Sequence, residues 1–187
     1  MSSYRIFIAL PTSLEVQNRL ALIQSELMKS QADVKWDAPN KFHITLKFLG
    51  NVEQDKLSLL YNLMEKAILG RSAFEIVYKL VGAFPTVNNP RVVWTGAEPV
   101  KEMMDLQLEV ERVCTEIGIP REERLFHPHV TLGRVRSRKN ISHLIDAIKS
   151  ITFQPIGYEC KEVLVMKSDL KPEGSIYTAL KSFQLKV

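Results

Sequence analysis

Two tetrapeptides of one form, His43-Ile44-Thr45-Leu46 and His129-Val130-Thr131-Leu132, constrain this 187-residue chain more than any other feature. Each alternates polar with apolar residues, the pattern of a strand with one buried face. Side chains two apart on a strand share a face. His43 and Thr45 therefore point one way while Ile44 and Leu46 point into a core, and His129 and Thr131 repeat this over Val130 and Leu132. Four histidines and eight threonines in a chain of this length give roughly 0.17 His-x-Thr matches by chance. Two matches, each with an apolar middle residue and a following Leu, point to a site built twice.

The two histidines stand 86 residues apart, and the same offset relates other stretches. Arg5–Leu10 falls onto Arg91–Gly96. Helix-like stretches beginning near Ser13 and Pro99 coincide, as do those beginning near Glu53 and Lys139. The order strand, helix, His-x-Thr strand, helix is thus written twice, a form of internal similarity that governs fold assignment. The period is too long for a solenoid. It predicts two similar lobes related by a pseudo-two-fold axis, each giving one His and one Thr to a shared cleft.

Periodicity predicts strands at about 4–10, 34–37, 42–49, 73–83, 91–97, 127–136, 158–167 and 175–186, and helices at about 13–29, 53–69, 99–117 and 140–150. Gly70 and Gly118 are helix stop signals. Pro85–Pro90 is a turn or short loop, and Lys171-Pro172-Glu173-Gly174 a hairpin connection. Long strands with helices outside them predict an α+β fold, two antiparallel-rich sheets side by side. The length suits one domain over residues 1–187, made of two intimately packed lobes. No apolar run is long enough to span a bilayer and no signal-peptide core is evident, so the expectation is a cytoplasmic, monomeric protein away from membranes. Cys114 and Cys160 lack a C-x-x-C partner and read as reduced core residues.

Two imidazoles facing one another across a cleft form an acid–base pair that works near neutral pH. Threonine hydroxyls beside them can hold the oxygens of a phosphate and stabilise charge in the transition state. The net charge is only +4, but Lys41, Lys47, Arg121, Arg124, Arg134, Arg136, Arg138 and Lys139 gather around the two motifs, which favours an anionic substrate. No metal or other cofactor is required. The phosphoester that such a site could open unaided is a strained 2′,3′-cyclic phosphate at an RNA end. Alternation places Lys47 beside His43 and Thr45 as a possible substrate contact. It puts Phe48 on the opposite face, in the core, with stacking on a terminal base as the alternative. Arg134 follows Gly133, where a bulge could turn it towards Thr131. A metal bound by the His127-x-His129 pair is a rival reading that lacks a third ligand at suitable spacing. His143 reads as a surface residue.

At this point the chain resembles the 2H phosphoesterase superfamily, and within it the bacterial and archaeal RNA 2′,3′-cyclic phosphodiesterases, also called 2′-5′ RNA ligases (LigT-like). The resemblance is carried by Arg5–Ala9, Phe42–Gly50, Gly82–Pro85 with Pro90–Gly96, Phe126–Arg134, and Lys167–Gly174 with Tyr177. It implies a bilobal fold with a V-shaped cleft and hydrolysis of the cyclic end to a 2′-phosphate. It further implies that His43 donates a proton to the leaving O3′, that His129 accepts one from water, and that Thr45, Thr131 and Arg134 hold the phosphate. The sequence departs from the family near the end of the first strand, where Leu10 and Pro11 offer no aromatic ring for a base. Other readings are a non-catalytic RNA-end binder, and the same chemistry on small cyclic nucleotides or 2′-5′-linked oligonucleotides, including reversible 2′-5′ ligation.

Overall fold

The computed structural model describes residues 3–172 and 174–187. The elements run β1 (Ser3–Pro11), α1 (Leu14–Met28), β2 (Val34–Trp36), a 3-10 turn at Pro39–Lys41, β3 (His43–Glu53), α2 (Gln54–Ile68), β4 (Phe74–Thr86), β5 (Asn89–Ala97), α3 (Lys101–Glu116), β6 (His129–Val135), α4 (Ile141–Ser150), β7 (Ile156–Cys160), β8 (Glu162–Lys171) and β9 (Gly174–Gln184). The expected α+β class holds. Ser13 caps α1 by accepting a hydrogen bond from the Val16 N–H. Its buried face carries Val16, Leu20, Ile23 and Leu27 at helical spacing. Gly118, at a φ of 86°, follows the end of α3 in the left-handed conformation. No described helix is long and apolar enough to cross a membrane.

The expected two sheets are joined into one. Strand order is β7-β4-β5-β6-β3-β1-β8-β9, with β2 also paired to β6, and the strand pairs are antiparallel. The sheet is strongly curled. Its middle is a narrow seam where β3 and β6 pair only at Ile44 and Val130. On one side of the seam lie β3, β1, β8 and β9, and on the other β6, β5, β4 and β7. The helices cross over: α1, which follows β1, packs on α4 and β7, while α3, which follows β5, packs on α2 and β3.

The single strand expected at 158–167 is two strands that part at Lys161. β7 joins β4, and β8 joins β1 on the far side of the seam. The physical reason is a change of parity: Ile156 and Cys160 are buried at even positions, Val163 and Val165 at odd ones. One inserted residue turns the next side chain to the other face. The β4–β5 turn is tighter than expected, with Thr86 opposite Asn89. The β8–β9 connection includes Glu173, which lies outside the described residues.

The core forms under the face that carries Ile44, Leu46, Val130 and Leu132, all at most 3% exposed. Leu20, Leu60, Met64, Met103, Val110 and Leu144 from the four helices join the same cluster. Burying each such side chain contributes about 1.5–3 kcal/mol. This fixes the face opposite the core, and so the direction of the histidines.

Candidate active site

The two His-x-Thr strands sit in matching surroundings. In β1–β3, His43 lies opposite Pro11 and Thr45 opposite Ala9; in β5–β6, His129 lies opposite Gly96 and Thr131 opposite Trp94. Each ladder then slips by one residue. Ile8 pairs with Lys47 where Ala9 paired with Thr45, leaving Leu46 as the extra residue, and Val93 pairs with Gly133 where Trp94 paired with Thr131, leaving Leu132. These are β-bulges, which bend a strand and re-aim the side chains beyond the extra residue.

The bulges decide where three sequence-derived candidates point. Arg134, two residues past Leu132, reaches the cleft. At the equivalent place in β3 stands Phe48, 59% exposed and lining the same cleft, not in the core where strict alternation put it. Lys47 is turned inward. Its ammonium is 2.8 Å from Glu111 Oε2 and donates to the Pro120 carbonyl at 2.9 Å, with both charged side chains under 10% exposed. Lys47 therefore borders the cleft without a free ammonium to offer it.

His43, Thr45, His129, Thr131 and Arg134 line one cleft of about 830 Å³. Both imidazoles are held alike. His43 Nδ1 is 2.6 Å from the Lys41 carbonyl, and His129 Nδ1 is 2.6 Å from the His127 carbonyl. A carbonyl only accepts, so Nδ1 carries the proton in both rings and Nε2 is left to work. His43 Nε2 accepts from the Thr45 hydroxyl at 3.1 Å. Aromatic rings fix each imidazole from the sides, Phe7 and Tyr177 around His43 and Phe84 and Trp94 around His129.

Burial pushes both imidazoles below the usual histidine range. The backbone carbonyl opposes this at each ring. The charge of Arg134 adds to the lowering at both, as does His129 at His43 and His127 at His129. Asp37 also faces the cleft. Burial raises its carboxyl above the usual value, although Arg134, Lys41 and Lys35 pull it down. Arg91 and Arg124 line the cleft as well, whereas Arg136, Arg138 and Lys139 do not. His127 packs on Trp94, with ring centroids 4.7 Å apart, and His143 is exposed on α4. Among the described residues no three of His, Cys, Asp and Glu gather as a metal-binding group.

Sequence reasoning did not single out Phe7, Asp37, Phe84, Trp94 or Glu111. Phe84 and Trp94 reach His129 from the β4–β5 hairpin, and no local spacing announces such an approach. A weak signal exists for Glu111: it sits among the buried positions of α3, where a charge needs a partner.

A curled antiparallel sheet holding two His-x-Thr strands over one cleft is the layout of a 2H phosphoesterase. The chain belongs to the LigT-like phosphoesterase family, whose pattern matches residues 10–94 and 96–177. It is 34% identical over 182 residues to the RNA 2′,3′-cyclic phosphodiesterase of Methanothermobacter thermautotrophicus, covering 97% of this chain and 98% of that one. It is 33% identical over 194 residues to the RNA 2′,3′-cyclic phosphodiesterase of Aquifex aeolicus, covering 99% of each. LigT of E. coli in its apo form has the same fold, with a TM-score of 0.80 at 23% identity over the whole of both chains. The E. coli protein complexed with 3′-AMP superposes with a TM-score of 0.79 at 24% identity, covering 98% and 99% of the two chains.

Proposed function

We propose that this protein hydrolyses the terminal 2′,3′-cyclic phosphate of RNA to a 2′-phosphomonoester, using two histidines and no metal ion. The observation that carries the reading is the matched presentation of two Nε2 atoms to one cleft, each ring fixed by a carbonyl at Nδ1. The full-length relatives named RNA 2′,3′-cyclic phosphodiesterase support the substrate. In this reaction the oxygen of a water molecule attacks phosphorus in line with O3′. Neutral His129 Nε2 takes a proton from the water, the P–O3′ bond breaks, and protonated His43 gives its Nε2 proton to O3′. The product keeps the phosphate on O2′, and the two rings end with their protonation states exchanged. Thr45, Thr131 and Arg134 hold the non-bridging oxygens, so charge that builds on phosphorus meets donors already in place. The assignment of donor and acceptor rests on the family resemblance. It is consistent with Phe48, which packs on Phe7 beside His43 and offers an exposed ring to the nucleoside. We take the protein to be a cytoplasmic monomer; two buried free thiols, Cys114 and Cys160, suit the cytoplasm.

The test is turnover of an oligonucleotide ending in a 2′,3′-cyclic phosphate, with the product identified by its phosphate position. His43→Ala and His129→Ala should each lower kcat by about 10²–10⁴ while the far-UV spectrum is kept, and activity should persist in EDTA. Wild-type turnover in either variant, or a 3′-phosphate product, would refute the mechanism. Loss of activity on chelation would refute its independence of metal.

A further inference from the structure

We propose that a groove beside the cleft, between the free edge of β3 and the loop Ile119–Arg124, holds the RNA strand upstream of the cyclic end, so that oligonucleotides are preferred to mononucleotides. This rests on the function proposed above. It starts from a break in the internal symmetry. β2 lies along β6, with Val34 opposite Val135, Lys35 opposite Arg134 and Trp36 opposite Gly133. The offset of 86 carries this segment onto Pro120–Glu122, which lies beside β3 at Lys47–Leu49. There Pro120 has no N–H to contribute to a ladder. Among the described residues no strand pairs with that edge of β3 beyond Ile44.

Where one side of the molecule has a strand, the other therefore has a groove of about 550 Å³. It shares Lys47, Phe48, Glu122 and Arg124 with the active-site cleft, so the two spaces adjoin. Its chemistry suits a single strand of RNA. Phe48 stands exposed where the two spaces meet, and an exposed ring stacks on a base of any sequence. Arg121 and Arg124 form no salt bridge among the described residues, which leaves their guanidinium groups for a phosphate. The loop is held in place by the buried Glu111 carboxylate, which accepts from Lys47 and from the Glu122 N–H, while Lys47 also binds the Pro120 carbonyl.

Glu122 and Glu123 lie in the same loop, so the groove has no strong net field. Recognition there is by contact and not by long-range attraction. Glu122 is partly occupied, since its Oε1 accepts from the Arg124 N–H at 3.3 Å.

The experiment compares kcat/KM for a nucleoside 2′,3′-cyclic phosphate with that for di-, tri- and tetranucleotides ending in the same cyclic nucleotide. A rise of about tenfold or more over the first upstream nucleotides, ending in a plateau, is expected chiefly from one phosphate contact. Arg121 lines only the second groove. Arg121→Ala should remove most of the rise and leave the mononucleotide rate unchanged, and Arg121→Lys should restore part of it. The salt dependence of the rise should correspond to about one phosphate. Equal kcat/KM at every length, or a rise that Arg121→Ala leaves intact, overturns the subsite alone. No turnover of any cyclic end overturns the proposed function and the subsite with it.

Discussion

At the scale of the residue, the proposed chemistry is governed by how each imidazole is buried and what its Nδ1 touches. A ring whose Nδ1–H is fixed to a carbonyl has one nitrogen left to titrate, so His43 and His129 each exchange protons only through Nε2. Burial holds both below about 6.5, the ordinary histidine value. As pH falls, activity is lost when His129 is protonated and can no longer act as base. As pH rises, activity is lost when His43 gives up the proton it must donate. The kcat/KM profile, which reports the free enzyme, should therefore be a bell centred below about 6.5. A bound phosphate anion favours the imidazolium form, so the kcat profile should lie at higher pH than the kcat/KM profile. Measuring both between pH 4 and 9 checks this, and a kcat/KM maximum above 7 would contradict it.

At the scale of the element, the bulges at Leu46 and Leu132 matter most. Both His-x-Thr strands were legible because period-two alternation is local and the motif is repeated. A bulge is not local, for it depends on how one strand slides along its neighbour. Gly133 hinted at it in the second copy, but Lys47 occupies the equivalent place in the first and carries no such hint. Hence Arg134 could be expected at the cleft, whereas the facing of Lys47 and Phe48 was reversed. The break at Lys161 was missed for a related reason, since β7 and β8 both read as apolar strand and only the parity of the buried positions distinguishes them. Most other strands and the four helices lie close to where periodicity puts them. The buried Lys47–Glu111 pair makes the cost of the inward turn measurable. Lys47→Met strands a carboxylate in the interior and should cost about 3–5 kcal/mol, whereas Lys47→Met with Glu111→Leu should recover most of that loss. Urea denaturation of the single and double variants tests it, and equal losses in both would show that the pair is not the source.

At the scale of the whole molecule, the decisive feature is the exchange of elements across a narrow seam. β1 and β3 depend on β8 and β9 from the end of the chain, while α1 and α2 find their helix partners in α4 and α3. We read the chain as one interlocked domain on this ground. A fragment of residues 3–70 should lack stable structure by circular dichroism, and the intact chain should unfold in a single transition. A cooperatively folded fragment would show that the halves are separate domains. The matched bulges carry one more consequence. Two imidazoles held in the same manner give a reaction no preferred direction, yet an RNA end has a nucleoside on one flank and charged oxygens on the other. The same slip of register delivers a phenyl ring to the cleft from one strand and a guanidinium from the other. Polarity thus enters an otherwise repeated arrangement through Phe48 and Arg134, and in the reaction proposed above this difference would let a substrate dock one way round.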